Sequence, residues 1–228
     1  MMNDIRLLYG IFKLAPLKKS NLFGMVVFGL LAVINYMGKF QSQTFYAGIY
    51  LGLLAAFMNH MLVACCFSNM ILASECAKML QKKLIPRLNF AMIFVCCLLN
   101  GAVMLLLARL GRISMQDAAA QIVIVSIFYA IMLVYLALYV KAMIPAMIAY
   151  FLILGVGFLT MQEDVMGRVL NLKFPGITGW SQPFVTAMIL GFLIVVVFGM
   201  LSLWIAKLLY RRAVDEKCMG MMMKRDFK

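Results

Sequence analysis

Hydrophobic positions in this chain gather into apolar runs of about 20 residues, divided by short polar stretches, which is the length a helix needs to cross a bilayer. The runs at about 20–38, 44–72, 87–108, 118–140, 142–160 and 184–206 predict six spans. Ser20 or Asn21 is expected to cap the first. Pro86 is expected to open the third, since a first-turn proline loses no needed hydrogen bond. Only Lys141 and Pro145 interrupt the fourth and fifth runs. One helix from Ala118 to Leu159 would extend about 63 Å, twice a bilayer, so a very tight turn must divide it into two spans.

The polar stretches have patterns of their own. In residues 1–19, Ile5, Leu8, Ile11 and Phe12 recur at helical spacing among basic residues, predicting an interfacial helix on the cytoplasmic surface. No small-residue cleavage site follows near Asn35–Gly38, and further spans come after it, so span one is expected to be retained rather than removed as a signal peptide. Between spans two and three, Glu75, Lys78, Gln81, Lys82 and Lys83 give Ala73–Arg87 a polar side, with Met79, Leu80, Leu84 and Ile85 as its apolar side. Two expectations compete there: a short helix, continuous with span two and closed by Pro86, that carries cytoplasmic movement into the membrane, or an anchored basic loop. Val165, Val169, Leu170 and Leu172 predict an amphipathic helix along the outer surface within 161–183, then a Gly/Pro turn with Trp180 at the interface. Residues 207–228 form a basic, methionine-rich cytoplasmic tail.

Composition narrows the class. With 66% hydrophobic and 13% charged residues among 228, the chain is too apolar for a water-soluble domain and too poor in charge for a disordered one. The fold class expected is all-α and polytopic, a single transmembrane domain over residues 1–228. The net charge of +13 is distributed unevenly. With both termini in the cytoplasm, only Lys39, Arg109, Arg112, Arg168 and Lys173 of the 21 Lys and Arg fall on the outer side, which is the positive-inside pattern. Basic residues here serve anionic lipid; no compact basic element with interleaved aromatics points to nucleic acid.

Candidate chemistry is sparse. Cys65, Cys66, Cys76, Cys96, Cys97 and Cys218 all fall in spans or on the cytoplasmic side, where structural disulfides are not expected, and adjacent cysteines lack metal-binding spacing. His60, beside Asn59 and placed midway along span two, either lines a path or hydrogen-bonds to a neighbouring helix; Asn35, Asn100 and Gln121 extend the candidate polar seam. Asp4, Glu75, Asp117, Glu163, Asp164, Asp215, Glu216 and Asp226 all lie outside the predicted spans, against coupling to a proton or sodium gradient. No phosphate-cradling G-x-x-x-x-G-K-[ST], no H-E-x-x-H and no G-x-S-x-G occurs, so any energy for uphill transport is expected from another subunit. Gly48 and Gly52 have the G-x-x-x-G spacing that lets helices approach closely.

The order NDIRLLYGIFKLAP, span one, span two, SECAKMLQKKLIPR, and EDVMGRVLNLKFPGITGW between the last two spans resembles the six-span membrane subunit of a half-size ABC exporter of the type-2 permease kind. The resemblance rests on element order along nearly the whole chain. It implies a coupling helix between spans two and three, with Ser74, Glu75, Lys78, Gln81, Lys82, Lys83, Pro86 and Arg87 as candidate contacts to the groove of an ATPase subunit. The near-absent cytoplasmic turn around Lys141 departs from relatives with a second coupling contact. Also implied are a second permease chain, identical or related, separate ATPase subunits holding ATP and Mg, no cofactor on this chain, and a bacterial cell membrane. The cargo class would be a peptide, an antimicrobial compound or an amphipathic small molecule. Alternatives from the residues themselves are a secondary transporter or channel, a non-catalytic membrane assembly protein, and an intramembrane enzyme without those motifs.

Overall fold

The structure is a computed structural model that describes residues 18–38, 41–66, 76–139, 141–142, 144–152 and 183–209. Its helices are α1 (Lys18–Met37), α2 (Gln41–Cys66), α3 (Cys76–Met79), a π-helical turn (Leu80–Leu84), α4 (Ile85–Arg109), α5 (Met115–Tyr139), α6 (144–152) and α7 (Phe184–Leu209). Among the described residues five stretches are long and apolar enough to cross a membrane: Lys19–Met37, Thr44–Val63, Leu80–Arg109, Met115–Tyr139 and Phe184–Leu209. The chain is therefore an all-α, multi-pass membrane protein. Phe23, Val26 and Ile34 on α1 and Val185, Val197 and Trp204 on α7 lie exposed, an arrangement stable against lipid tails and costly in water.

Contacts fix the helix directions. On α2, Thr44, Gly48 and Gly52 meet Gln121, Val125 and Tyr129 of α5 in the same order, so those two helices are parallel. Ala187 shares a cluster with Ala119, and Gly191 meets Ser126, which makes α7 parallel to α5 as well. Against α7, α4 runs the other way: Phe90 meets Gly199, Phe94 meets Phe192 and Gly101 meets Met188. α6 also reverses, since it leaves the turn at Lys141 and brings Tyr150 back to Tyr135, 4.5 Å between ring centroids, and to Phe128. The tight turn expected between the fourth and fifth runs is present: the backbone N–H groups of Lys141 and Ala142 both bond to the Leu138 carbonyl, at 3.0 and 2.9 Å.

α5 is the central helix. Val125, Phe128, Tyr129, Met132, Leu133 and Leu136 form the core with Ile93, Cys96 and Cys97 of α4, Ala55 of α2 and Val195 of α7. α1 packs chiefly on α2 and contributes little to that core.

Several boundaries differ from those expected. α5 begins at Met115 rather than 118, because the preceding link is built from two local motifs. Gly111, at φ 70°, takes the left-handed position after α4, where the N–H groups of Gly111 and Arg112 bond to the carbonyls of Ala108 and Leu107 in the Schellman pattern. Ser114 then caps α5 by accepting from the Asp117 N–H at 3.0 Å while its hydroxyl donates to the Asp117 carboxylate. Ser20 and Asn21 do not cap α1, which starts at Lys18 and places both inside its first turns. Nor does Pro86 close a separate helix: α3, the π turn and α4 form one continuous helical run from Cys76 to Arg109. The expected interfacial helix of 1–19, the outer helix within 161–183 and the tail beyond 209 lie outside the described residues.

Candidate functional site

The basic end of the bundle is the first candidate site. The helix directions bring the start of α1, the π turn, the start of α4, the α5–α6 turn and the end of α7 to one end, with Lys19, Lys78, Lys82, Lys83, Arg87, Lys141 and Lys207. Arg109 and Arg112 are the only basic residues at the opposite end among the described residues, beside the described chain's single carboxylate, Asp117. Lys141, in the turn, donates to Gln81 Oε1 at 3.4 Å and so joins the π turn to the end of α5; burial lowers its pKa by disfavouring the charged form.

The π turn sets which faces align. Its signature bond runs from the Ile85 N–H to the Leu80 carbonyl, a spacing of five in place of four. With that extra residue, Leu80 (1% exposed) falls in line with Ile85, Asn89 and Ile93 on the buried stripe. The same shift aligns exposed Lys78, Lys83 and Arg87 on the opposite face. In unbroken α-helix, the positions following Leu80 on its face would be Leu84 and Arg87, and a guanidinium would be turned toward the core. The wide turn also stands just before Pro86, whose missing N–H and bulky ring disturb regular bonding. Of the apolar side, Leu80 and Ile85 are buried, Leu84 is half-buried and Met79 is exposed. Ser74 and Glu75 lie outside the described residues.

The predicted polar seam contains hydrogen bonds between helices at more than one depth. Asn89 Nδ2 donates to Asn59 Oδ1 at 2.8 Å, and Tyr36 donates to Asn100 Oδ1 at 2.7 Å. Thr44 Oγ1 donates to Gln121 Oε1, and Tyr129 crosses to the Gly48 carbonyl at 2.8 Å. Asn35 bonds only within its own helix, to the Leu31 carbonyl at 2.8 Å. Asn89 and Asn100 are about 16 Å apart along α4, so the pairs occupy different depths. Asn59 and His60 lie level with Asn89 of α4 and with the end of α5, where the His60 ring faces Tyr139 at 6.4 Å between centroids.

Sequence reasoning missed Tyr36, Thr44, Asn89 and Tyr129. For Asn89 a signal existed: it precedes Asn100 by three helical turns, on the stripe that also holds Cys96 and Cys97. Those two cysteines are free and buried; Cys97 lies 3.7 Å from Ser126 Oγ. Among the described residues no group of three or more His, Cys, Asp or Glu could hold a metal ion. Gly48 and Gly52 do mark a close helix approach, within the chain, against Val125 and Tyr129.

A partly open cavity of about 360 Å³ lies at the basic end, between α1, α2 and α5. Phe28, Leu53, Ala56, Phe57, Tyr135 and Leu136 supply most of its lining. Ser20, Asn21, Asn59 and His60 add polar groups, with Tyr139 beside them. Asn21 is 6% exposed, and its amide nitrogen is buried without a hydrogen-bond partner.

Comparison with known protein families, with curated proteins and with solved structures finds no match to this chain. What its own geometry establishes is a multi-pass α-helical membrane protein in which most basic residues among those described gather at one end, around a helical entry into the third membrane-length stretch.

Proposed function

We propose that this chain is the permease subunit of an ATP-driven exporter of the ABC type, moving a peptide, an antimicrobial compound or an amphipathic small molecule by alternating access. The proposal includes six spans, with the α6 run completing the fifth, and both termini in the cytoplasm of a bacterial cell. α5 and α7 are parallel, so the chain between them has to return across the bundle. The basic end would be cytoplasmic by the positive-inside rule.

The observation that carries the reading is the continuous helix from Cys76 to Arg109. It presents Lys78, Lys83 and Arg87 outward at the basic end and joins the core through Leu80 without a hinge loop. A partner pressing on that stripe moves α4 as a lever, and the π turn also packs against α7. Force reaches the membrane only if the stripe makes different contacts in two states, because attachment alone shifts no equilibrium. The partner is a separate ATPase holding ATP and Mg, and the pathway is shared with a second permease chain.

Vesicle flux tests this. Vesicles holding the chain with its co-purifying partner should show ATP-dependent cargo movement, and the purified chain alone should show none. Gradient-driven or ligand-gated flux by the chain alone would favour a secondary transporter or channel instead.

A further inference from the structure

The cavity between α1, α2 and α5 combines three properties that together specify a ligand. Its walls are apolar and aromatic, with Phe28 and Phe57 packed at 5.3 Å between centroids on the α1–α2 side. It lies toward the end of the bundle where every charge among the described residues is positive. And Asn21, at that end, holds a buried amide donor with no partner. An unsatisfied buried donor is disfavoured in a native protein and persists where something else completes it. No acceptor, the Asn59 oxygen included, lies within hydrogen-bond reach of that amide.

We infer that this cavity binds a single-chain anionic amphiphile, its hydrocarbon among Phe28, Phe57 and Leu136 and its oxyanion accepting from the Asn21 amide. The size agrees: about 360 Å³ lies at the small end of ligand sites and admits one chain or ring system, not a folded peptide. The charge agrees as well, because among the described residues no carboxylate lines the cavity to hold a cation, and the field of the surrounding basic residues favours an anion. Carboxylate and phosphate monoester heads share this chemistry. The inference narrows the cargo class of the transport reading and rests on that reading only for the steps after binding; occupancy itself is measured without ATP or flux.

The test uses the full chain in neutral phosphatidylcholine nanodiscs, photolabelled with a diazirine-bearing decanoic acid and mapped by peptide mass spectrometry. Adducts should concentrate on α1, α2 and α5 around Phe28, Phe57 and Leu136. Unlabelled decanoate or decyl phosphate should compete, the better competitor naming the head group, and decyltrimethylammonium should not. Asn21→Leu should cut labelling about tenfold, the loss expected for a charge-assisted hydrogen bond. The same variant should melt no lower than the parent, since it removes an orphaned donor. Ala56→Leu, which fills the cavity without altering Asn21, should also reduce labelling. Labelling spread over the lipid-facing side of α7, equal competition by the cation, or full labelling of both variants would overturn the site. Specific labelling with no ATP-dependent flux would retain the site and defeat the transport reading alone.

Discussion

Asn59 and Asn89 show what a polar side chain requires in this bundle. Each is buried between α2 and α4, where lipid and core offer no alternative partner, and each supplies the other's need. Asn89→Leu should therefore cost about 1 kcal/mol by leaving the Asn59 oxygen unpaired. The double replacement should cost less than the sum of the singles, as read from unfolding in micelles. Glycines make a second residue-scale contrast. A methyl group at Gly52 would lie 2.6 Å from the Tyr129 ring, which is held in place by its bond to Gly48, whereas at Gly29 nothing lies within 4 Å. Gly52→Ala should destabilise by about 1–3 kcal/mol. Gly29→Ala should stabilise by about 0.5–1 kcal/mol through helix propensity alone. That Gly48 and Gly52 admit a close neighbour was legible from their spacing. That the neighbour is Tyr129 was not, because spacing along one helix carries nothing about which helix faces it.

The element that departs most from its sequence reading is the charged stretch before Pro86. Lysines and a proline there point to a separate amphipathic piece, yet the helix passes through. The reason is a register shift: one extra residue in the π turn keeps Leu80 in and Arg87 out, and simple periodicity cannot anticipate it. The shift makes the segment respond unequally to gain and loss of a residue. Deleting Gln81 should restore an ordinary α-helix with Leu80, Ile85 and Asn89 still on one face, and the thermal melt in detergent should change little. Inserting one alanine after Gln81 should rotate Leu80 by about 100° away from the core and lose about 1.5–3 kcal/mol of burial. The Gly111 and Ser114 link is the opposite case: its two motifs stand in the sequence as Gly-Arg-Ile-Ser-Met-Gln-Asp, and local chemistry alone places the end of α4 and the start of α5.

At the scale of the whole molecule, apolar run length located five membrane-length stretches among the described residues, the first, fourth and last of them within a few residues and the third seven residues late at its start, because nothing but lipid accommodates so much exposed hydrocarbon. The gathering of basic residues at one end was legible from charge counting for the same reason. Central placement of α5, the parallel course of α5 and α7, and the cavity beside α1 were not, since each depends on packing between distant segments.

In the proposed mechanism an ATPase presses on the basic stripe of the Cys76–Arg109 helix. Gentle purification from the native membrane, with mass spectrometric identification of every co-purifying chain, tests it most directly when run in parallel on Lys82→Glu plus Lys83→Glu. A Walker-containing ATPase should be recovered in proportion to the parent chain and reduced at least about tenfold with the variant, the loss weakening as salt rises, while membrane insertion is unchanged. A parent chain that purifies with no nucleotide-binding partner, or a partner retained equally by the charge-reversed variant, would contradict it.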